Sequence, residues 1–148
     1  MTEGMPLEVE GEVRSFNNKS GRGSRLVITL HARSLRPGNG PDENRLVLAG
    51  VLCKPPVLRR TPLGREICDL MLAVNRRYGR ADYLPCIAWG ALAQRCAGLA
   101  VGDGVALEGR LQSRLYQKTT AEGTVQERTA FEVSATTLVP AALQAVTG

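Results

Sequence analysis

The sequence has few aromatic residues, one histidine and no long apolar run. Aromatics make up 4% of its 148 residues, six in all: Phe16, Tyr78, Tyr83, Trp89, Tyr116 and Phe131. A core must therefore be built from Val, Leu, Ile and Ala, and each ring needs a reason for its position. No stretch of about 18 apolar residues occurs, so no membrane-spanning helix is expected. The acidic opening MTEGMPLEVEGEV lacks both the basic start and the apolar run of a secretory signal. The one histidine is His31, and the cysteines Cys53, Cys68, Cys86 and Cys96 contain no CxxC pair. Zinc, or any other metal or cofactor, is therefore not expected. The thiols read as buried and reduced, as in a cytoplasmic protein.

What the sequence does hold is enough for one domain plus an appendage. A hydrophobic content of 43% argues against global disorder. The net charge is +5, with 19 bases against 14 acids, and 16 of the bases are Arg. Residues 1–12 carry four Glu and no base, whereas residues 45–80 carry eight bases and two acids. That one stretch exceeds the net charge of the whole chain. Arginine forks onto phosphate oxygens and stacks on rings, so the patch is either a solvated face or a nucleic-acid contact.

RPGNGPDEN (36–44) cannot hold a regular element. It divides the chain into an N-terminal β-hairpin (1–36), a linker (37–43), a domain (44–140) and a short tail (141–148). RLVLAGVLC (45–53), REICDLMLAVN (65–75) and ADYLPCIAW (81–89) read as strands. GALAQRCAGL (90–99) reads as a short helix. GVALEGRLQSR (104–114) and ERTAFEVSATTL (127–138) alternate as strands about a polar hairpin at 117–126, with Phe131 assigned to the core. The expected fold is all-β with one short helix: a five-stranded Greek-key barrel of the OB type plus the N-terminal hairpin.

An internal repeat supports that division. LEVEGEVRS (7–15) matches VALEGRLQS (105–113), and LVITLHARSLRP (26–37) aligns with TAFEVSATTLVP (129–140). Residues 7–36 thus read as the last two strands of a second OB unit whose first three are missing, either as the remnant of a tandem two-barrel architecture or as the result of a truncated chain start.

The chemistry centres on the rings. Period-2 geometry places Tyr83, Pro85, Ile87 and Trp89 on one strand face, with a ring at each end. Tyr78 stands in NRRYGR and Tyr116 in SRLYQK, each beside Arg or Lys. Bases of single-stranded DNA expose faces that stack on such rings while the backbone follows a cationic groove. Arg76, Arg77, Arg80, Arg110, Arg114 and Lys118 are phosphate-contact candidates by charge and placement.

Residues 44–139 resemble the bacterial single-stranded DNA-binding protein family. The resemblance rests on NRLVLAGVL, RRTPLGREICDLMLAVNR, DYLPCIAWGALAQ, VGDGVALEGRLQSRLY and FEV. It implies an OB barrel, commonly assembled as a homotetramer with a dimer as the alternative, that binds single-stranded DNA in replication, recombination and repair. It also implies base stacking at Tyr78, Tyr83, Trp89 and Tyr116, and a basic first-loop position at Arg59 or Arg60. Two features depart from the family. No acid follows Glu132, so recruitment of repair proteins through an acidic tail is not expected. The N-terminal repeat is extra, and it carries Asn18 where the domain has Tyr116, so little DNA binding is expected of it.

Two other classes compete. An accessory or primosome-type OB subunit would act mainly through protein partners. A nuclease needs carboxylates clustered around a metal, but Asp69, Asp82 and Asp103 fall on different elements, and no enzyme is expected.

Overall fold

The computed structural model describes residues 3–17 and 26–140. A first hairpin, β1 (Leu7–Asn17) and β2 (Leu26–Pro37), is followed by β3 (Leu46–Leu52), β4 (Val57–Arg60), β5 (Glu66–Asn75) and β6 (Ala81–Trp89). The helix α1 (Ala91–Ala97) leads into β7 (Gly104–Thr119) and β8 (Val125–Pro140). Strands β3, β7, β8, β6 and β5 form a ring, closed because β3 pairs with both β7 and β5. All neighbours are antiparallel except β6 and β8, which run parallel at Cys86–Val133 and Ile87–Ser134. This is the five-stranded OB barrel, with β4 added as a short strand on β5.

The closure depends on a change of partner within β3. Leu46–Val51 pair with β7, and Val51 and Leu52 reach β5. Gly50 lies at the crossing, where a Cβ would stand 2.6 Å from the Ala73 carbonyl oxygen. Asn44, just ahead of β3, extends the ladder with its side chain. Its Nδ2–H donates to the Leu111 carbonyl at 2.7 Å and its Oδ1 accepts from the Leu111 N–H at 3.0 Å.

Strand alternation fills the interior with Cys68, Leu70 and Leu72 from β5, Leu84, Cys86 and Ala88 from β6, and Val105, Leu107 and Val133 from the long pair. Helix α1 adds Ala93 and Cys96 to the same cluster. None of the six aromatic residues is buried. Burial raises the thiol pKa of Cys86 to about 12 and of Cys96 to about 11, so these thiols stay protonated and unreactive near neutral pH.

The two long hairpins share one design. Both carry a register shift at a Glu–Gly pair, Glu10/Gly11 and Glu108/Gly109. A Cβ at Gly11 would lie 2.1 Å from the His31 oxygen, and one at Gly109 would lie 2.1 Å from the Ser134 oxygen. Each bulge therefore requires glycine. Leu7 faces Pro37 as Val105 faces Pro140. Their surroundings differ. Val105, Leu107, Val133 and Leu138 are buried under the barrel, whereas their counterparts Leu7, Val9, Leu30 and Leu35 are exposed.

The first hairpin is seated on the barrel at one polar point. The Ser15 N–H donates to Asp82 Oδ1 at 2.8 Å, and the Tyr83 N–H donates to Ser15 Oγ at 2.7 Å. Asp82 is buried, and Arg76 Nε lies 2.9 Å from its Oδ2. Val13 and Ile28 pack against the barrel core.

Several expectations need correction. VLRR (57–60), assigned to no element from the sequence, forms β4, because Leu58 and Arg59 pair with Cys68 and Ile67 of β5. Half of the polar 117–126 segment is strand, and the turn is confined to residues 120–124. Phe131 is not core: it is 44% exposed and faces Ser113 on the part of the β7–β8 pair that extends past the barrel. Cys53 is half-buried, unlike the other three thiols. Asn18 and the tail 141–148 lie outside the described residues.

Candidate nucleic-acid interface

The outer surface of the sheet follows from the register. Tyr83, Pro85, Ile87 and Trp89 of β6 stand opposite Ala73, Met71, Asp69 and Ile67 of β5. Arg59 of β4 stands opposite Ile67. On the other side Ile87 neighbours Ser134 of β8. From there the same face runs on to Arg110, Gln112, Arg114, Tyr116 and Lys118 of β7, opposite Ser134, Glu132, Ala130, Arg128 and Gln126. Tyr83, Trp89, Arg59, Arg110, Arg114, Tyr116 and Lys118 thus share one continuous face.

That face has an apolar floor. Ile67 and Ile87 point outward yet are buried and lie outside the core cluster. Longer neighbours must cover them, as arginine stems and rings do. Tyr83 and Trp89 remain 46% and 40% exposed. Tyr116 is half-buried.

Tyr78 lies in the tight turn Arg77–Gly79 between β5 and β6. It is 96% exposed and is the only described non-glycine residue at positive φ (67°). A bulky residue held in the left-handed region is strained. Here nothing packs on the ring to offset that strain, and such outliers concentrate at functional positions.

The charged candidates divide into groups. Arg59 forks onto Asp69, Nε to Oδ2 at 2.5 Å and Nη2 to Oδ1 at 3.3 Å. This hydrogen bond, more than any other influence, raises its pKa further. Arg114 Nε lies 3.4 Å from Glu132 Oε2, and Gln112 donates to the other oxygen at 3.1 Å. Arg80, Arg110 and Lys118 are exposed and have no ion pair among the described residues. Arg60 lies apart. It pairs with Glu66 at 3.2 Å, a carboxylate also bound by Gln94 of α1. Arg76 is half-buried against Asp82 and helps seat the hairpin. The side chain of Arg77 lies outside what the structure describes.

Three further arginines stand outside the candidate set, Arg45 although it opens the basic stretch 45–80, because their place depends on the hairpin's seat. Arg14 and Arg33 of the hairpin and Arg45 before β3 line a cleft of about 1130 Å³ between hairpin and barrel, together with Tyr78, Arg76 and Arg80. Among the described residues no group of three or more His, Cys, Asp or Glu is placed to hold a metal. No described helix is long and apolar enough to cross a membrane.

The barrel and its outer face define an OB-fold protein, a class that takes extended oligomers on this surface. Residues 43–140 match the model of the single-strand binding protein family. The chain belongs to that family. It is 38% identical over 81 residues to single-stranded DNA-binding protein 2 of Listeria innocua, covering 50% of this chain and 51% of that protein. It is 40% identical over 81 residues to single-stranded DNA-binding protein A of Bacillus subtilis, covering 50% and 47%. The chain spans about half the length of the curated relatives it matches. The crystal structure of the wild-type single-stranded DNA binding protein from Thermus aquaticus superposes with a TM-score of 0.70 at 28% identity. That match covers 90% of this chain and 58% of the Thermus chain, so it extends past the family-model span into the first hairpin. None of these likenesses favours the accessory-subunit reading.

Proposed function

We propose that this protein binds single-stranded DNA without sequence preference and shields it during replication, recombination or repair in the cytoplasm. The observation that carries this reading is the placement of the rings. The interior is built without them, while Tyr83 and Trp89 stand exposed at the two ends of one strand face, with Tyr78 and Tyr116 at its approaches. Bases stack on these four rings at about 1–3 kcal/mol each. Arg80, Arg110 and Lys118 meet phosphates directly. Arg59 and Arg114 do so in competition with Asp69 and Glu132. Arg60 and Arg76 are assigned to structural pairing instead. The relatives' names support the ligand class.

The division into a hairpin, a linker over 37–43 and a binding domain belongs to the same proposal. So does assembly into a homo-oligomer, a tetramer or a dimer. The matched bulges of the two hairpins and the coverage of the Thermus chain support reading the first hairpin as half of a second OB unit.

Titration with oligothymidine tests the function. Trp89 emission is expected to fall on binding, with a log-affinity slope against log salt of about −0.7 per phosphate contacted. Duplex DNA of equal length should quench far less. Unchanged emission with folded protein at low salt refutes the reading.

A further inference from the structure

The outer face does not use all the convergent charge in the molecule. The cleft between the first hairpin and the barrel is lined by five arginines, Arg14, Arg33, Arg45, Arg76 and Arg80, and by only two acids, Glu12 and Asp82. Asp82 is committed to Arg76 and to the Ser15 N–H. Glu12 is shared between Arg14, 3.2 Å away, and Arg33, 4.0 Å away. Arg45 is held from outside the lining by Glu108 at 2.6 Å, and Arg80 has no ion pair among the described residues, so five guanidinium groups share three carboxylates. The Arg14 Nε–H is buried with no hydrogen-bond acceptor among the described residues. Guanidinium groups gathered in one concavity repel each other unless an anion joins them, and a surplus of fixed donors is the arrangement that holds phosphate.

We infer that this cleft takes a second run of single-strand phosphate backbone, so that the hairpin is part of the DNA-binding surface. The proposal rests on the function above and extends it to residues outside the family-model span. Tyr78 connects the two surfaces. It lines the cleft and also stands, almost wholly exposed, at the start of β6 and its outer face. A strand stacked on Tyr83 and Tyr78 passes the mouth of the cleft as it continues. The hairpin thus contributes charge rather than rings, which is why the missing counterpart of Tyr116 at position 18 does not remove it from the site. A continuous nucleic acid is preferred over an acidic peptide because a stacking ring stands at the mouth and Val47 and Ala49 contribute an apolar lining beside the charges.

The test uses the full chain and two oligothymidines. One has about 8 nucleotides, enough for the outer face alone, and one about 30, enough to continue into the cleft. Arg33→Ala is the main variant. Arg33 is well exposed on the hairpin, and its one ion pair is long, so the fold should be unaffected. With the long oligomer Arg33→Ala should flatten the salt slope by about 0.7. Its affinity deficit then grows about fivefold for each tenfold drop in salt. With the short oligomer it should behave as the unsubstituted protein. Glu12→Gln should act in the opposite direction and tighten the long oligomer severalfold, because it releases Arg14 and Arg33. Unchanged slopes and affinities in both variants overturn the cleft while Trp89 quenching still upholds the outer face. Equal changes with both lengths indicate a general charge effect and also overturn it. Absence of quenching in the unsubstituted protein overturns the function and the cleft together.

Discussion

Replacing Tyr78 with glycine should strengthen the fold and weaken the binding of single-stranded DNA. The ring is 96% exposed, so its removal gives up almost no buried area. Its backbone sits at φ 67°, ψ 32°, a conformation that costs an L side chain roughly 1–2 kcal/mol and costs glycine almost nothing. The greater freedom of glycine in the unfolded chain offsets about 0.5–1 kcal/mol of that relief. A net gain of about 0.5–1 kcal/mol remains, readable as a higher urea midpoint by far-ultraviolet circular dichroism. Loss of one stacking platform costs about 1–3 kcal/mol of affinity, which is about 5- to 150-fold in dissociation constant. Trp89 emission reads that loss, because the probe itself is untouched. The salt slope should not change, since the ring carries no charge. Tyr78→Phe keeps the stacking face and should bind almost as the parent does. A glycine variant less stable by 1 kcal/mol or more refutes the strain argument. One that binds as tightly as the parent refutes the assignment of Tyr78 to the binding surface.

The two bulge glycines should separate hairpin from barrel. Gly109→Ala forces a Cβ onto the Ser134 oxygen inside the ring of strands and should lower global stability by on the order of 3 kcal/mol. Gly11→Ala makes the same clash with His31 but should release only the hairpin. Hydrogen exchange should then speed up over 7–17 and 26–37 with barrel amides still protected, and equal global losses would contradict this. The buried thiols predict weakness in alkali. The Cys86 pKa is raised from 9.0 to about 12 by burial, so above pH 9 the unfolded chain loses the proton first. The stability this group contributes is complete below that pH and is lost as pH rises toward 12. The full loss is about 4 kcal/mol. Urea midpoints taken across this range should fall, and Cys86→Ala should flatten the fall. An equal slope in the variant would contradict the assignment.

Much of the barrel was legible in the sequence because its strands alternate cleanly and its turns are marked by Gly and Pro. The repeat was legible for a more specific reason. The Glu–Gly pair marks a bulge, and a bulge requires the same residue each time it is built. Alternation has no end marker, however. Along β7 and β8 it continues from the barrel into the projecting arm without a break, so Phe131 looked like a core residue. VLRR has no alternation to show, and it becomes β4 only because β5 is there to pair with. Ser15 and Ser113 occupy matching positions in the repeat, yet Ser15 is buried against Asp82 and Ser113 is exposed. That contact is made between parts 67 residues apart, and local pattern does not contain it. Arg14, Arg33 and Arg45 were not among the sequence candidates for the same reason. The shared face of Tyr83 and Trp89, by contrast, was visible in the sequence, because period-2 alternation along one short strand is a local pattern.

Because no ring lies in the core, ultraviolet spectroscopy of this protein will report its surface rather than its packing. Trp89 already sees solvent in the native state, so unfolding should shift its emission only modestly. A stacking base will change it far more. Near-ultraviolet dichroism should be faint in the free protein and should appear when ligand orders the rings. Backbone signals will follow folding and aromatic signals will follow occupancy, so the two can be read from one sample without a label.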